Sequence, residues 1–210
     1  MKILHTADIH LGVKNTKLPQ DRQNLLKDES IYNIRNFFDM AKREEYEVIL
    51  ICGDLFHSKS VSSKIVKSFF NAVEEYACPV IYISGNHDES FNFPLSLPEN
   101  FVILDKNDPS FAYDNFVFYS KYFLDSFQLD ENKNNILLIH GNIENSRDSD
   151  FFDINKYLNL NFDYIALGHV HAFKQYQKNR DINIVYFKEL QHFFDQFIVT
   201  LQRLFLFTII

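Results

Sequence analysis

The chain has 210 residues, 46% of them hydrophobic, with a formal net charge of −7. That length suits one domain with a real core, and the composition excludes a disordered chain. Two cysteines, Cys52 and Cys78, exclude a disulfide scaffold, and the acidic balance argues against a dedicated nucleic-acid-binding module, which normally carries a basic excess.

Taken in chain order, apolar runs and helical spacings alternate. Lys2–Ala7 reads as a first strand that ends at Asp8. A long helix follows, with Ile31, Ile34, Phe37, Phe38 and Ala41 at helical spacing. Val48–Cys52 is short and β-branched, the pattern of a buried strand, and its Cys52 reads as a buried reduced thiol. Ser62 to Tyr76 reads as a second helix with Ile65, Val66, Phe69, Phe70, Val73 and Tyr76 on one face. Further strands are predicted at Pro79–Ser84, Phe101–Leu104, Phe116–Tyr119, Ile136–Ile139 and Tyr164–Leu167. Strands alternate with helices in the first half, which implies a largely parallel sheet, whereas the second half is richer in strands joined by loops. No apolar run reaches the length of about 18 residues needed to span a bilayer, and Met1-Lys2-Ile3-Leu4 has none of the features of a signal peptide, so the expectation is a cytoplasmic protein with no membrane contact.

The chemistry lies in five short segments: Asp8-x-His10, Gly53-Asp54-Leu55-Phe56-His57, Gly85-Asn86-His87-Asp88, His140-Gly141 and Gly168-His169-Val170-His171. Six of the eight histidines fall within them. Imidazole, carboxylate and amide oxygen suit Mn, Fe or Zn, and thiols are absent from every segment. Each segment has an ordinary reading on its own: Gly-Asp after a strand is often a turn, and a lone His140 is most often a satisfied core histidine. Asp8-x-His10 reads as two ligands on one side of an extended strand, and His169 and His171 as a pair of the same spacing at a strand end. His87, between Asn86 and Asp88, resembles a catalytic imidazole held by neighbours. Jointly the ordinary readings fail, because each segment lies just past the C-terminal end of an apolar strand, where ligands bind in open α/β sheets. The glycines Gly53, Gly85 and Gly168 suit sharp turns and close backbone approach. His5 reads as packed within the first strand. Basic residues cluster beside the motifs: Lys14, Lys17 and Arg22, then Lys59, Lys64 and Lys67, then Lys174, Lys178 and Arg180. They favour a phosphate-bearing ligand, or are an ordinary mixed-charge surface.

The ordered set D-x-H, G-D-x-x-H, G-N-H-D, H-G and G-H-x-H resembles that of the calcineurin-like metallophosphoesterases. Leu4-His5-Thr6-Ala7-Asp8-Ile9-His10-Leu11-Gly12 and Gly-Asp-Leu-Phe-His are similar to the SbcD-type DNA-repair exonuclease branch, over roughly Met1 to Tyr186. The resemblance implies a four-layer α-β-β-α sandwich of two mixed sheets, formed by residues 1–187. It implies one metal held by Asp8, His10, Asp54 and His171 and a second by Asp54, Asn86, His140 and His169, with Asp54 bridging. Two divalent ions, by analogy Mn2+ with Fe or Zn also permitted by the ligands, would make hydroxide available for in-line attack on phosphorus. His87 would be the general acid, Asp88 would orient it, and His57 would contact phosphate. The implied function is a phosphodiesterase acting on DNA as an exonuclease or endonuclease in repair, partnered by an SMC-like ATPase, with a homodimer through the helices near Tyr32–Met40 and Ile65–Tyr76. The alternatives are the same chemistry on a small phosphodiester or phosphomonoester, and an inactive fragment. The last of these arises from residues 188–210: Ile182–Phe187 fits the strand that the branch places after G-H-x-H, but its turn and capping domain are replaced by an atypical apolar tail ending Leu204 to Ile210, the pattern of a truncated or frameshifted frame.

Overall fold

The computed structural model describes residues 1–13, 17–125, 129–158, 160–171, 174–178 and 182–186. The expectation about the tail at 188–210 lies outside these residues. So do Lys14 and Arg180.

Four strands form the first sheet: β1 (Ile3–Thr6), β2 (Val48–Cys52), β3 (Val80–Ile83) and β4 (Phe101–Ile103), paired in that order. All three of its pairings are parallel. Two of the three crossovers run through helices, β1 to β2 through α1 (Gln20–Arg43) and β2 to β3 through α2 (Ser63–Tyr76), and β3 reaches β4 through the segment 84–100. The second sheet has six strands: β5 (Ser110–Tyr113), β6 (Phe116–Ser120), β7 (Asn134–His140), β8 (Tyr164–Gly168), β9 (Lys174–Lys178) and β10 (Ile182–Tyr186). Its order is β5-β6-β7-β8-β10-β9, parallel in the middle and antiparallel at both edges. Two sheets are present, as the resemblance implies; among the described strands the smaller runs parallel throughout and the larger is mixed.

Period-two alternation explains how the layers stack. Val48, Leu50 and Cys52 of β2 face the second sheet and join Ile136, Leu138, Phe118 and Ala166 in a core between the sheets. Ile49 and Ile51 face the other way and meet the helices. There Ile34, Phe37 and Phe38 of α1 pack with Ile65, Phe69 and Val73 of α2. Burying each of these side chains contributes roughly 1.5–3 kcal/mol. The apolar face of α2 is interior: Ile65, Phe69, Phe70, Val73 and Tyr76 are all buried. Leu25 and Tyr32 of α1 stay exposed.

The two sheets and their helices form an α/β sandwich, and the described residues on the outer face of the second sheet include two short 3-10 helical segments. Leu137, Ile139, Ile165 and Leu167 pack under Phe123, Ile154 and Phe162. Phe123 and Ile154 come from short 3-10 segments, Lys121–Asp125 and Ile154–Lys156. Among the described residues this fourth layer holds no α-helix. No described helix is long and apolar enough to cross a membrane.

Candidate metal centre

All five segments meet at one edge, where β1, β2, β3, β7 and β8 end. The backbones of the first two continue to pair past their strand ends: Asp8 N–H donates to Gly53 O (3.1 Å), His10 N–H to Asp54 O (2.8 Å) and Leu11 N–H to Leu55 O (2.8 Å). This continuation is not extended strand. Asp8, His10 and Asp54 have φ of 55°, 49° and 52°, and His169 has 95°. Strand alternation therefore does not place Asp8 and His10, or His169 and His171: β1 stops at Thr6 and β8 at Gly168, and left-handed residues aim the side chains. Non-glycine residues in that region are strained by about 1–3 kcal/mol each, and such strain gathers at functional sites.

Two donor sets share this edge. Ligand atoms of Asp8, His10 and His171 lie within 4.8 Å of one another, as do those of Asp8, Asp54 and His140. Asp54 Oδ2 stands 3.7 Å from His10 Nε2 and 3.4 Å from His140 Nε2, so one carboxylate oxygen reaches both sets. His140 Nε2 is also 3.0 Å from Asn86 Oδ1, and His171 Nε2 is 3.7 Å from Asp8 Oδ1. Donors bound to one ion at about 2.1 Å sit roughly 3 Å apart when adjacent, so these spacings fit divalent cations with little rearrangement. The charge fits too. Asp8 and Asp54 are 0% and 2% exposed, and two buried carboxylates this close need positive charge beside them.

Among the protein's own groups, the neighbouring imidazoles and backbone N–H groups shift these carboxyls. Burial pushes the Asp8 carboxyl above its ordinary range, against the nearby His140 and His171 rings and the His169 N–H. Burial acts the same way on Asp54, but hydrogen bonding and charge from His140, with the His87 N–H and His10, outweigh it and hold Asp54 low. Burial would lower His140, yet Asp54 and Asp8 keep it above its ordinary value. The backbone fixes which nitrogen of His140 faces inward. Its Nδ1 is 2.9 Å from Cys52 O, so Nδ1–H donates across the sheets and Nε2 is left for a ligand role.

The residues expected to do proton and phosphate chemistry sit beside this centre. His87 is held at both ends: its N–H donates to Asp54 Oδ1 (2.9 Å) and its Nδ1 to His57 O (3.1 Å). His57 and His87 stack at 5.2 Å, and His10 lies edge-on to both rings. Burial and the neighbouring His87 lower the His57 pKa. Asp88 does not orient His87 as its place in the sequence suggested. Its carboxylate turns inward to accept from Phe56 N–H (3.0 Å) and Gly85 N–H (2.8 Å), tying the two motif loops together. Backbone donors capture it because it is 1% exposed and must be satisfied.

His169 stands between the metal edge and a second group of carboxylates. Its N–H donates to both Asp8 oxygens (3.1 and 3.0 Å), and its ring is edge-on to His140 at 5.2 Å. Its Nε2 is 3.4 Å from Asp148 Oδ2, and a ligand nitrogen of His169 groups with Asp148 and Asp150. Sequence reasoning missed these two carboxylates. The available signal was an Asn- and Asp-rich loop, Asn142 to Asp150, directly after His140-Gly141. Of the basic residues beside the motifs, Lys64 pairs with Asp28 (3.0 Å) and Lys174 with Glu144.

A model of the calcineurin-like phosphoesterase family matches residues 1–187. The chain is 29% identical to the SbcD component of the SbcCD nuclease of Staphylococcus epidermidis over 218 aligned positions, 81% of this chain and 57% of that protein. It therefore spans less than two thirds of that relative's length. The fold is similar to that of a dimetal phosphatase from Danio rerio, with a TM-score of 0.59 and 10% identity over 90% of this chain and 87% of the other. It is also similar to a purple acid phosphatase from yellow lupin (Lupinus luteus) seeds, with a TM-score of 0.50 and 15% identity over 88% of this chain and 43% of the other. At such identities these two likenesses speak for the fold alone. With the family match covering nearly the whole chain and the histidine–carboxylate edge where the motifs meet, this chain belongs to the calcineurin-like phosphoesterases and is a metallophosphoesterase.

Proposed function

We propose that the chain hydrolyses phosphodiester bonds with two divalent cations, and that its substrate is DNA. The observation that carries the two-metal reading is the position of Asp54, whose single oxygen Oδ2 lies within reach of both His10 and His140. Asp8, His10 and His171 would hold one ion with Asp54; Asn86, His140 and His169 would hold the other. When bound, two such cations supply Lewis acidity that readies a water for attack and neutralises charge on the phosphoryl oxygens.

The chain's own groups supply the rest. Phosphorus gains an oxygen from water as its bond to the leaving oxygen breaks. His87 delivers a proton to that oxygen from Nε2, because its Nδ1–H is committed to His57 O. The His57 ring, stacked on His87, would donate to a phosphoryl oxygen. Asp88 acts at a distance, keeping the loop that carries His87 registered on the loop that carries Asp54.

The DNA reading, and with it repair, a cytoplasmic setting, manganese and an SMC-like ATPase partner, draws its support from similarity to the SbcD component of the SbcCD nuclease. A second reading, a small phosphodiester or phosphomonoester substrate, is favoured by the net charge of −7 and by the pairing of Lys64 and Lys174, since backbone contacts to DNA normally come from free Lys and Arg. Purified chain with Mn2+ is expected to cleave both bis-p-nitrophenyl phosphate and linear duplex DNA. Cleavage of the small diester alone would select the second reading, and turnover of neither would sink both.

A further inference from the structure

Resting on the two-metal reading, we propose that Asp148 is the positioning residue for His169, accepting its Nε2–H so that Nδ1 is presented to the second cation. Asp148 Oδ2 lies 3.4 Å from His169 Nε2. The carboxylate is itself anchored. Oδ2 accepts from Asn142 Nδ2 (3.0 Å), and Oδ1 accepts from the Asp150 N–H (3.0 Å).

The loop that carries Asp148 is bound to the metal edge at its start. Asn142 N–H donates to Asp150 O and Phe152 N–H to Asn142 O (both 2.9 Å). Asn142 Oδ1 caps Glu144 N–H (2.9 Å) and Asn145 N–H (3.1 Å), and Lys174 of β9 pairs with Glu144. Because Asn142 follows His140-Gly141, the segment that brings one histidine to the second ion also carries the acceptor for the other.

Ring chemistry then assigns the nitrogens. Nδ1 adjoins the Cβ end of the ring, and the His169 backbone is pinned to Asp8 at the centre. Nε2 is the distal nitrogen, turned to Asp148 at the rim. A neutral imidazole donates through one nitrogen and accepts through the other, so a carboxylate on Nε2 leaves the Nδ1 lone pair free to bind a cation. His140 uses the same device in reverse, with Nδ1–H on Cys52 O and Nε2 inward.

The test reads tautomer and metal binding, not turnover. In metal-free protein at pH 8, 15N shifts are expected to report His169 as the Nε2–H tautomer, and Asp148→Ala to convert it to a mixture. Calorimetric titration with Mn2+ is expected to show the weaker of two binding events falling about 10–100-fold in Asp148→Ala, the other event unchanged. Asp148→Glu restores the carboxylate but not the turn at Asp150, so recovery of tautomer and affinity in it marks a role through His169 and not through the turn. Asp150→Ala leaves both readouts at wild type. An Nδ1–H tautomer in wild type, unchanged affinity in Asp148→Ala, or a third ion lost equally with Asp148→Ala and Asp150→Ala overturns the proposal. If the protein binds no Mn2+ the two-metal reading fails, and the tautomer alone decides the hydrogen bond.

Discussion

The two sheets bring their side chains to the same edge by different means. The parallel sheet ends before its site residues begin: β1 stops at Thr6 and β2 at Cys52, and Asp8, His10 and Asp54 are aimed by left-handed backbone braced on a continued ladder of N–H to O bonds. In the mixed sheet His140 is the last residue of β7 itself, in register with Gly168 of β8. Its placement comes from strand register, and its tautomer from a carbonyl of the opposite sheet. Asp8, His10 and Asp54 thus depend on local strain and His140 on sheet packing, whereas His169, past the end of β8 at φ 95°, shares the first device, and substitutions should separate the two.

The largest effect should follow from Asp54, the residue both halves share. Asp54→Ala is expected to cut hydrolysis of bis-p-nitrophenyl phosphate by more than about 10³-fold, over roughly 4 kcal/mol, and to lower bound metal measured by atomic emission from two ions toward none. Retention of both ions would break the bridging role. His87→Ala should come next, with turnover down about 10²–10³-fold and metal content intact. Loss of metal in that variant would mean that His87 is a ligand and not the proton donor.

These two residues also mark how far the sequence could be read. Apolar runs ending at Gly-Asp, Gly-Asn-His and Gly-His identify the strand ends, and ligand chemistry there identifies the edge, because both are local patterns. What a neighbouring side chain points at is not local. Asp88 adjoins His87 yet binds Phe56 and Gly85, since buried carboxylates go to backbone donors that only the assembled turns create. Asp148 reaches His169 across a sequence gap of 21 residues, through a loop whose turns are set by its own Asn and Asp side chains. Strands β5 and β9 escaped notice for a related reason. They lie at the edges of the larger sheet, and β5 is largely exposed, so neither shows the apolar run or alternation that betrays a strand.

A probe of packing alone is Gly168→Ala. A Cβ there would overlap the Cys52 carbonyl and press on Ala7 and the His140 ring, so the two sheets would have to part at the site. We expect a loss of about 3 kcal/mol of stability by urea titration, together with weaker metal binding, because the Cys52 carbonyl that fixes His140 is what moves. Unchanged stability would mean that the sheets yield more easily than their close approach implies.

The smallest effect concerns His5, which lies between the sheets away from the metals, with Nδ1 2.9 Å from the Tyr164 hydroxyl. Burial lowers its pKa from 6.5 to about 3, partly opposed by a hydrogen bond to Leu167. The folded state therefore keeps His5 neutral between those pH values, while the unfolded chain takes up a proton below pH 6.5. Stability is present in full above the unfolded pKa and declines as pH falls toward 3, by about 2 kcal/mol at pH 5. His5→Gln keeps a polar partner for Tyr164 but cannot titrate. In chelator, so that metal ligands do not add their own protons, its denaturation midpoint should fall less steeply than wild type between pH 6.5 and 5. Parallel slopes would place the acid sensitivity at the Asp54–His140 edge instead of in the core between the sheets.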